Sequence, residues 1–581
     1  MRLEEYWGVG PKTREVLAES LGVEAAIDAI ERGDVRALTD AGLPRGRATR
    51  VLRHAHGGAA MDLLATPDAR DVYKSILDMA GGYAVTADAR DRIRVLTPLS
   101  DREAMEARLD DVLTARDTWA DLPEVDREAV LAAFEDYDSG GGRRAAVEAA
   151  LALKQTGVDS GVFAPLGDLD AGTLEDAAAA LAGLGESGVG EGADGRLDGL
   201  REQLGAVEDM AATPGQVVER VGEGVRGTEE LRDAFAREVT DETGVDAARV
   251  REAMATDAAD ARAFVGETLR SLSDDLRSAV DEREREVRED LEGTLEEAGE
   301  PVERAVSAVD RVAFDVSLAR FALAFELTRP TLVERDVTGV VDARNLFLVD
   351  AGEETQPVTY AVGDHDLAVP RATVPPHHRV AVLTGANSGG KTTLLETLCQ
   401  VQLLAQMGLP VPASAAEVGP VDAVVFHRRH ASFNAGVLES TLRSVVPPLS
   451  EGGRTLMLVD EFEAITEPGS AADLLHGLVT LTVDSDALGV FVTHLADDLE
   501  PLPEQARVDG IFAEGLTPAL ELDVDYQPRF GTVGRSTPEF IVSRLVADAT
   551  DRAERASYET LAEAVGESAV QRTLADARWQ S

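Results

Sequence analysis

Residues 385 to 392 read Gly385-Ala386-Asn387-Ser388-Gly389-Gly390-Lys391-Thr392, with the spacing G-x-x-x-x-G-K-[ST]. Each residue type meets one demand of phosphate chemistry. Glycines let successive backbone N–H groups curl around phosphate oxygens, and a helix starting there adds its partial positive charge. Lys391 is spaced to reach the β- and γ-phosphates, and the Thr392 hydroxyl to ligate Mg²⁺. Two strand-like runs downstream end in polar groups, 455–459 in Asp460-Glu461 and 489–493 in His494. A carboxylate at a strand tip can hold Mg²⁺ through water, the role read for Asp460. Glu461 is placed to orient or deprotonate an attacking water, and His494 to sense the γ-phosphate. Singly, each reads better as a strand-end cap. Together, in this order after a P-loop, they point to hydrolysis of ATP with Mg²⁺.

Positioning such groups demands a parallel sheet. The runs 380–384, 455–459 and 489–493 are short and apolar, as strands buried on both faces are, and 393–398 continues from the P-loop as a helix. The pattern predicts an ABC-like P-loop ATPase of parallel-sheet α/β type over 341–550. Helical patterns dominate the remainder, so the fold class is multidomain α plus α/β. The expected order is a helix-hairpin-helix region at 1–58, a helical core or lever start at 61–135 and a helical lever or clamp at 136–310. A connector helix at 311–340 follows, then the ATPase and a helical tail at 551–581. In the lever, 281–286 (Asp-Glu-Arg-Glu-Arg-Glu) reads as a solvated helix face. Long antiparallel helices, a short coiled coil and a plain bundle all stay open there.

The chain has 581 residues and a net charge of −51, yet its only lysines are Lys12, Lys74, Lys154 and Lys391. Abundant carboxylates, few lysines and few aromatics fit a halophilic protein working in molar salt, where screening removes most self-repulsion. A hydrophobic content of 44% argues against a disordered acidic chain. Cys399, the single cysteine, reads as a small core residue. Neither a long apolar span nor a signal-peptide pattern is found, so the expectation is a soluble cytoplasmic protein with no membrane partner.

The charge is uneven. Residues 1–56 hold nine basic and nine acidic side chains, so the remainder carries the whole excess. No acid occurs over 41–61, while Arg45, Arg47, Arg50 and Arg53 fall at helical spacing. Gly8-Val9-Gly10-Pro11-Lys12-Thr13 has the form of a helix-hairpin-helix turn, and a weaker copy begins at Gly42-Leu43-Pro44-Arg45-Gly46-Arg47. Backbone N–H groups of such turns face a phosphate. Gly8, Gly10, Lys12, Thr13, Arg45, Arg47 and Arg50 are therefore the candidate DNA-binding residues, giving affinity rather than sequence preference. An ordinary helix–loop–helix is the plainer reading of either copy.

Further residues carry a resemblance. Asn387 within the P-loop, Gln406-Met407-Gly408-Leu409-Pro410-Val411-Pro412-Ala413, and the segment from Asp460-Glu461 to Pro468-Gly469 resemble the ATPase of the MutS family of DNA repair proteins. Glu439-Ser440-Thr441-Leu442 is similar to that family's signature motif; this implies that Ser440 reaches the γ-phosphate in trans, within a homodimer, with Asn434 a nearby competitor. Tyr526-Gln527-Pro528-Arg529-Phe530-Gly531 and Asp91-Arg92-Ile93-Arg94 resemble the second MutS subfamily, and an N-terminal helix-hairpin-helix its archaeal form. That branch lacks a mismatch-reading domain, and no Phe-x-Glu wedge is found ahead of the ATPase. Ala386, Ser388 and Asn345 depart from the family's usual residues, the last on the adenine side. The resemblance implies an ATPase that binds double-stranded DNA largely without sequence preference, in repair or recombination, with branched DNA as an extension. Two alternatives are an ABC-type chromosome-maintenance ATPase, whose Leu-Ser-Gly-Gly signature is missing, and a DNA-structural clamp with vestigial hydrolysis, against which Lys391 and Glu461 speak.

Overall fold

The computed structural model describes all residues except 1–2, 4–5, 7–8, 186–187, 223–226, 370–372, 386–389, 429–434, 451, 462–467, 518–520, 535–537, 567–569 and 576–581. The chain forms two units, Met1–Arg127 with Asp310–Ser581, and Glu128–Val309. Among the described residues no helix is long and apolar enough to cross a membrane.

The first unit is mixed α/β. Its strands are β1 (Thr331–Leu332), β2 (Val337–Ala343), β3 (Val358–Gly363), β4 (Val380–Gly385), β5 (Ala415–Val418), β6 (Ala423–His427), β7 (Thr455–Asp460), β8 (Leu488–Val492), β9 (Ala506–Leu516) and β10 (Leu522–Phe530). Six of them make one sheet, ordered β10-β9-β4-β8-β7-β6, parallel except for the antiparallel β9–β10 pair. Strands β4, β7 and β8 are buried along their whole length, which is why they read as unbroken apolar runs. A second sheet, β1-β5-β2-β3, begins inside the span 311–340 that the sequence assigns to a connector helix. That helix instead runs over Gly299–Ala324 and stops short of β1.

The helix Lys391–Gln406 is buried nearly all round. Its apolar residues, Cys399 included, join the main core, and its glutamines are satisfied locally. Gln402 accepts from Thr338 Oγ1 at 2.8 Å and donates to the Gly419 carbonyl at 3.0 Å. Pairing of this kind offsets the cost of burying amides.

Four helices form a separate small core at the N-terminal end: α1 (Pro11–Ser20), α2 (Val23–Arg32), α3 (Val35–Asp40) and α4 (Arg45–Gly57). Leu17, Ile30, Leu38 and Leu52 are the large side chains that it buries completely. At the other end, Pro538–Asp548 and Arg552–Val565 pack on each other around Val542, Val546 and Ala562.

Among its described residues the second unit is helical apart from a two-stranded ribbon, Leu184–Gly185 with Gly188–Val189. The helix Ala261–Glu297 is its spine, packing apolar residues such as Leu269, Leu272 and Leu276 against shorter helices around Phe235 and Val239. The charge run on that spine is not wholly solvated. Arg283 donates to Asp194 at 2.8 Å and Arg201 to Glu284 at 2.9 Å. Hydrogen bonds from Arg283 hold the Asp194 carboxyl down at about 2. Alternate acids and bases thus serve as cross-helix pairs as well as a surface.

Candidate nucleotide site and nucleic-acid interface

Register decides which residues meet. Leu383 of β4 lies opposite Val492 of β8, and Val492 opposite Asp460 of β7, so three parallel strands end at one level. The chain leaves β4 into the P-loop, β7 into Glu461 and β8 into Thr493-His494. Carboxyl edges of parallel sheets are where such folds bind ligands.

At that edge Lys391, 4% exposed, donates from Nζ to the Gly385 carbonyl at 2.9 Å. Thr392 Oγ1 donates to Asp460 Oδ2 at 2.6 Å. His494 Nε2 and Glu461 Oε1 are 2.9 Å apart. The structure therefore brings together Lys391, Thr392, Asp460, Glu461 and His494. Ala386, Asn387, Ser388 and Gly389 lie outside the described residues, as does Asn434. Ser440 is exposed on the helix Ala435–Ser450.

Two backbone features shape the site. Gly385 has φ 134, and a Cβ there would fall 2.2 Å from the Ile511 carbonyl oxygen, so only glycine fits at the end of β4. Glu461, a non-glycine, has φ 40 and is held by its N–H bonding to the Val492 carbonyl at 3.0 Å. A left-handed glutamate is a strained conformation that a functional site retains for the direction it gives the side chain.

A cavity of about 400 Å³ opens beside Lys391 and Thr392, lined also by Asn345, Leu348, Val358 and Tyr526. Its size lies within the range of about 300–1,000 Å³ usual for small-molecule pockets. Tyr526 packs against the P-loop end: a Cβ on Gly390 would sit 2.7 Å from its ring. Asn345 caps the helix Leu346–Asp350 through Oδ1 and donates from Nδ2 to Glu396 and Thr397. The sequence pointed to the position of Asn345 on the adenine side, as a departure from the family's residue, and gave Tyr526 no place in the site. Asn345 carried a usable signal, an asparagine just before a short apolar helix; Tyr526 carried none, because β10 returns to the P-loop only through tertiary folding.

Hydrogen bonds and an ion pair tie the helix Pro67–Gly81 to the sheet. Thr66 Oγ1 donates to the Phe426 carbonyl at 2.6 Å and accepts from the Phe426 N–H at 3.0 Å. Arg428 donates its N–H to Asp68 at 2.8 Å, and its guanidinium pairs with Glu396 on the helix after the P-loop.

The DNA-binding candidates are distributed differently. Gly8 lies outside the described residues. Gly10 precedes α1 in extended backbone, Lys12 is exposed, and Thr13 is 3% exposed with its hydroxyl turned inward, so its side chain is a core group rather than a surface contact. The second turn is a helix–turn–helix: α3 ends at Asp40, Gly42 takes φ 98, and α4 starts at Arg45. Arg45 is ion-paired to the buried Asp91, while Arg47 and Arg50 are exposed on α4.

Comparison with known proteins gives a match to the family model MutS domain V over residues 381–497. The chain is 45% identical over 217 residues to the DNA-binding protein MutS2 of Pyrococcus furiosus, covering 37% of each protein. It is 30% identical over 225 residues to the endonuclease MutS2 of Thermomicrobium roseum, covering 37% of this chain and 26% of that one. The DNA mismatch repair protein MutS of Granulibacter bethesdensis is 32% identical over 205 residues, 33% of this chain and 20% of that protein. The alignments thus span no more than 37% of these relatives' lengths.

Proposed function

We propose that the chain is a MutS-type ATPase of the second subfamily that binds double-stranded DNA in repair or recombination. The observation that carries this reading is the convergence of Lys391, Thr392, Asp460, Glu461 and His494 at the ends of three adjacent parallel strands. ATP would lie with its phosphates at Lys391 and the P-loop and its base toward Asn345 and Tyr526. The oxygen pair Thr392 Oγ1 and Asp460 Oδ2 suits a hard cation, so these two would hold Mg²⁺. When bound, Mg²⁺ supplies positive charge at the phosphate oxygens. Glu461 accepts a proton from the attacking water; the water oxygen bonds to the γ-phosphorus as the bond to the β–γ bridging oxygen breaks, and ADP leaves. His494 orients Glu461 and meets the γ-phosphate. Ser440 of a second copy completes the site in a homodimer. The endonuclease in one relative's name is not carried over, since that alignment covers only 26% of its length.

The test is phosphate release together with DNA titration in molar KCl, using duplex, single-mismatch and four-way-junction DNA, with and without ATP and Mg²⁺. Mg²⁺-dependent hydrolysis with equal affinity for duplex and mismatch is expected. A tenfold preference for the mismatch, about 1.4 kcal/mol, overturns the branch, and absence of hydrolysis overturns the ATPase reading.

A further inference from the structure

A groove enclosing about 750 Å³ runs between α4 and the helix Pro67–Gly81. Arg45, Arg50 and Arg53 line it from α4, and Arg70 and Lys74 from the second helix. Arg94 and His54 add to its wall, and Asp62 and Asp78 are its acids. In a chain of net charge −51, cations outnumbering acids around one groove runs against the composition. The pairing of these cations sharpens the contrast. Arg45, Lys74 and Arg94 have carboxylate partners in Asp91, Asp71 and Asp78. Arg53 instead donates to the Arg94 carbonyl at 2.7 Å, and Arg70 to the Leu64 carbonyl at 3.0 Å. A carbonyl orients a guanidinium without cancelling its charge. Arg50 is exposed and carries no such bond among the described residues.

We propose that this groove holds the phosphodiester backbone of duplex DNA, with Arg50, Arg53 and Arg70, the lining arginines without a carboxylate partner among the described residues, as its phosphate contacts. The proposal rests on the DNA-binding reading above and moves the contact surface from the hairpin turns to the groove. Arginines on both walls suit a regularly charged strand, because positioning groups on phosphate need charge and reach rather than base complementarity. The second wall is also the helix fastened to the nucleotide-bearing sheet through Thr66–Phe426 and Asp68–Arg428. DNA lying there would contact a helix linked, through Asp68 and Arg428, to Glu396 on the helix after the P-loop.

The experiment titrates the full-length chain, without nucleotide, against a labelled DNA duplex over a series of KCl concentrations. Arg50→Ala and Arg70→Ala are each expected to weaken binding several-fold and to lower the slope of log K against log salt by about 0.9 per phosphate contact. Lys12→Ala and Arg47→Ala, outside the groove, are expected to change little, and thermal melts verify that each variant folds. If binding falls in Lys12→Ala and Arg47→Ala while the groove variants match the parent, the hairpin turns hold the DNA and the groove proposal fails. A parent chain that hydrolyses ATP but binds no duplex refutes the DNA-binding reading itself. Equal binding of an RNA duplex through the same residues overturns the DNA assignment.

Discussion

Glu461 is the residue on which the proposed chemistry turns. It is 8% exposed, strained at φ 40 and within 2.9 Å of His494 Nε2, so its carboxylate is aimed rather than free to sample rotamers. Glu461→Gln keeps the volume and a hydrogen-bonding oxygen but removes the proton acceptor. Steady-state phosphate release is expected to show kcat lowered by about 10²-fold or more, with the KM for ATP nearly unchanged. An equal fall in kcat/KM caused entirely by a raised KM would assign Glu461 to binding instead. Lys391 and Thr392 belong to the same scale: the roles proposed for them are read from the P-loop spacing because phosphate recognition needs those atoms at those offsets, whatever the surrounding fold.

Between elements, hydrogen bonds across long sequence separations set the arrangement. Thr66, 1% exposed, both donates to and accepts from Phe426 at the edge of the six-stranded sheet. Thr66→Val preserves shape but leaves the Phe426 N–H and carbonyl without those partners. We expect a loss of about 2 kcal/mol in denaturant unfolding, the usual cost of stranding buried polar groups. A second element effect depends on pH. Burial pushes Asp315, on the helix Gly299–Ala324, up to about 6, with Asp111 reinforcing and Arg311 opposing the shift. A carboxyl whose pKa is higher folded than unfolded contributes its stability below the unfolded value, and that contribution is lost as pH rises toward 6. Asp315→Asn removes the titration. It is therefore expected to stabilise the chain by up to about 3 kcal/mol above pH 7 and by little near pH 4, read from melts at the two pH values.

For the molecule as a whole, a net charge of −51 on 581 residues makes salt part of the fold's environment. Screening at about 1 M shortens the Debye length to about 3 Å, so repulsion among exposed carboxylates nearly vanishes while buried pairs such as Arg507–Asp509 persist. The melting temperature is expected to rise markedly between dilute and molar KCl. A flat response would mean that the carboxylates are already neutralised by fixed partners. At this scale the domain order was legible only coarsely. Sheet residues begin at Thr331 because β1 and β2 pair with β5, some eighty residues on, and no local pattern announces that pairing. By itself the sequence determined the mixed α/β class, the buried strands and the candidates for phosphate handling, since periodicity, apolar runs and motif spacing are local properties. Only the tertiary structure decided that β4, β7 and β8 end at one level, that Tyr526 closes on Gly390, that Thr13 turns inward, and that Arg53 and Arg70 face one groove. Those outcomes depend on strand register and on packing between residues far apart in the chain, where each side chain's direction is set by neighbours that its own segment does not contain.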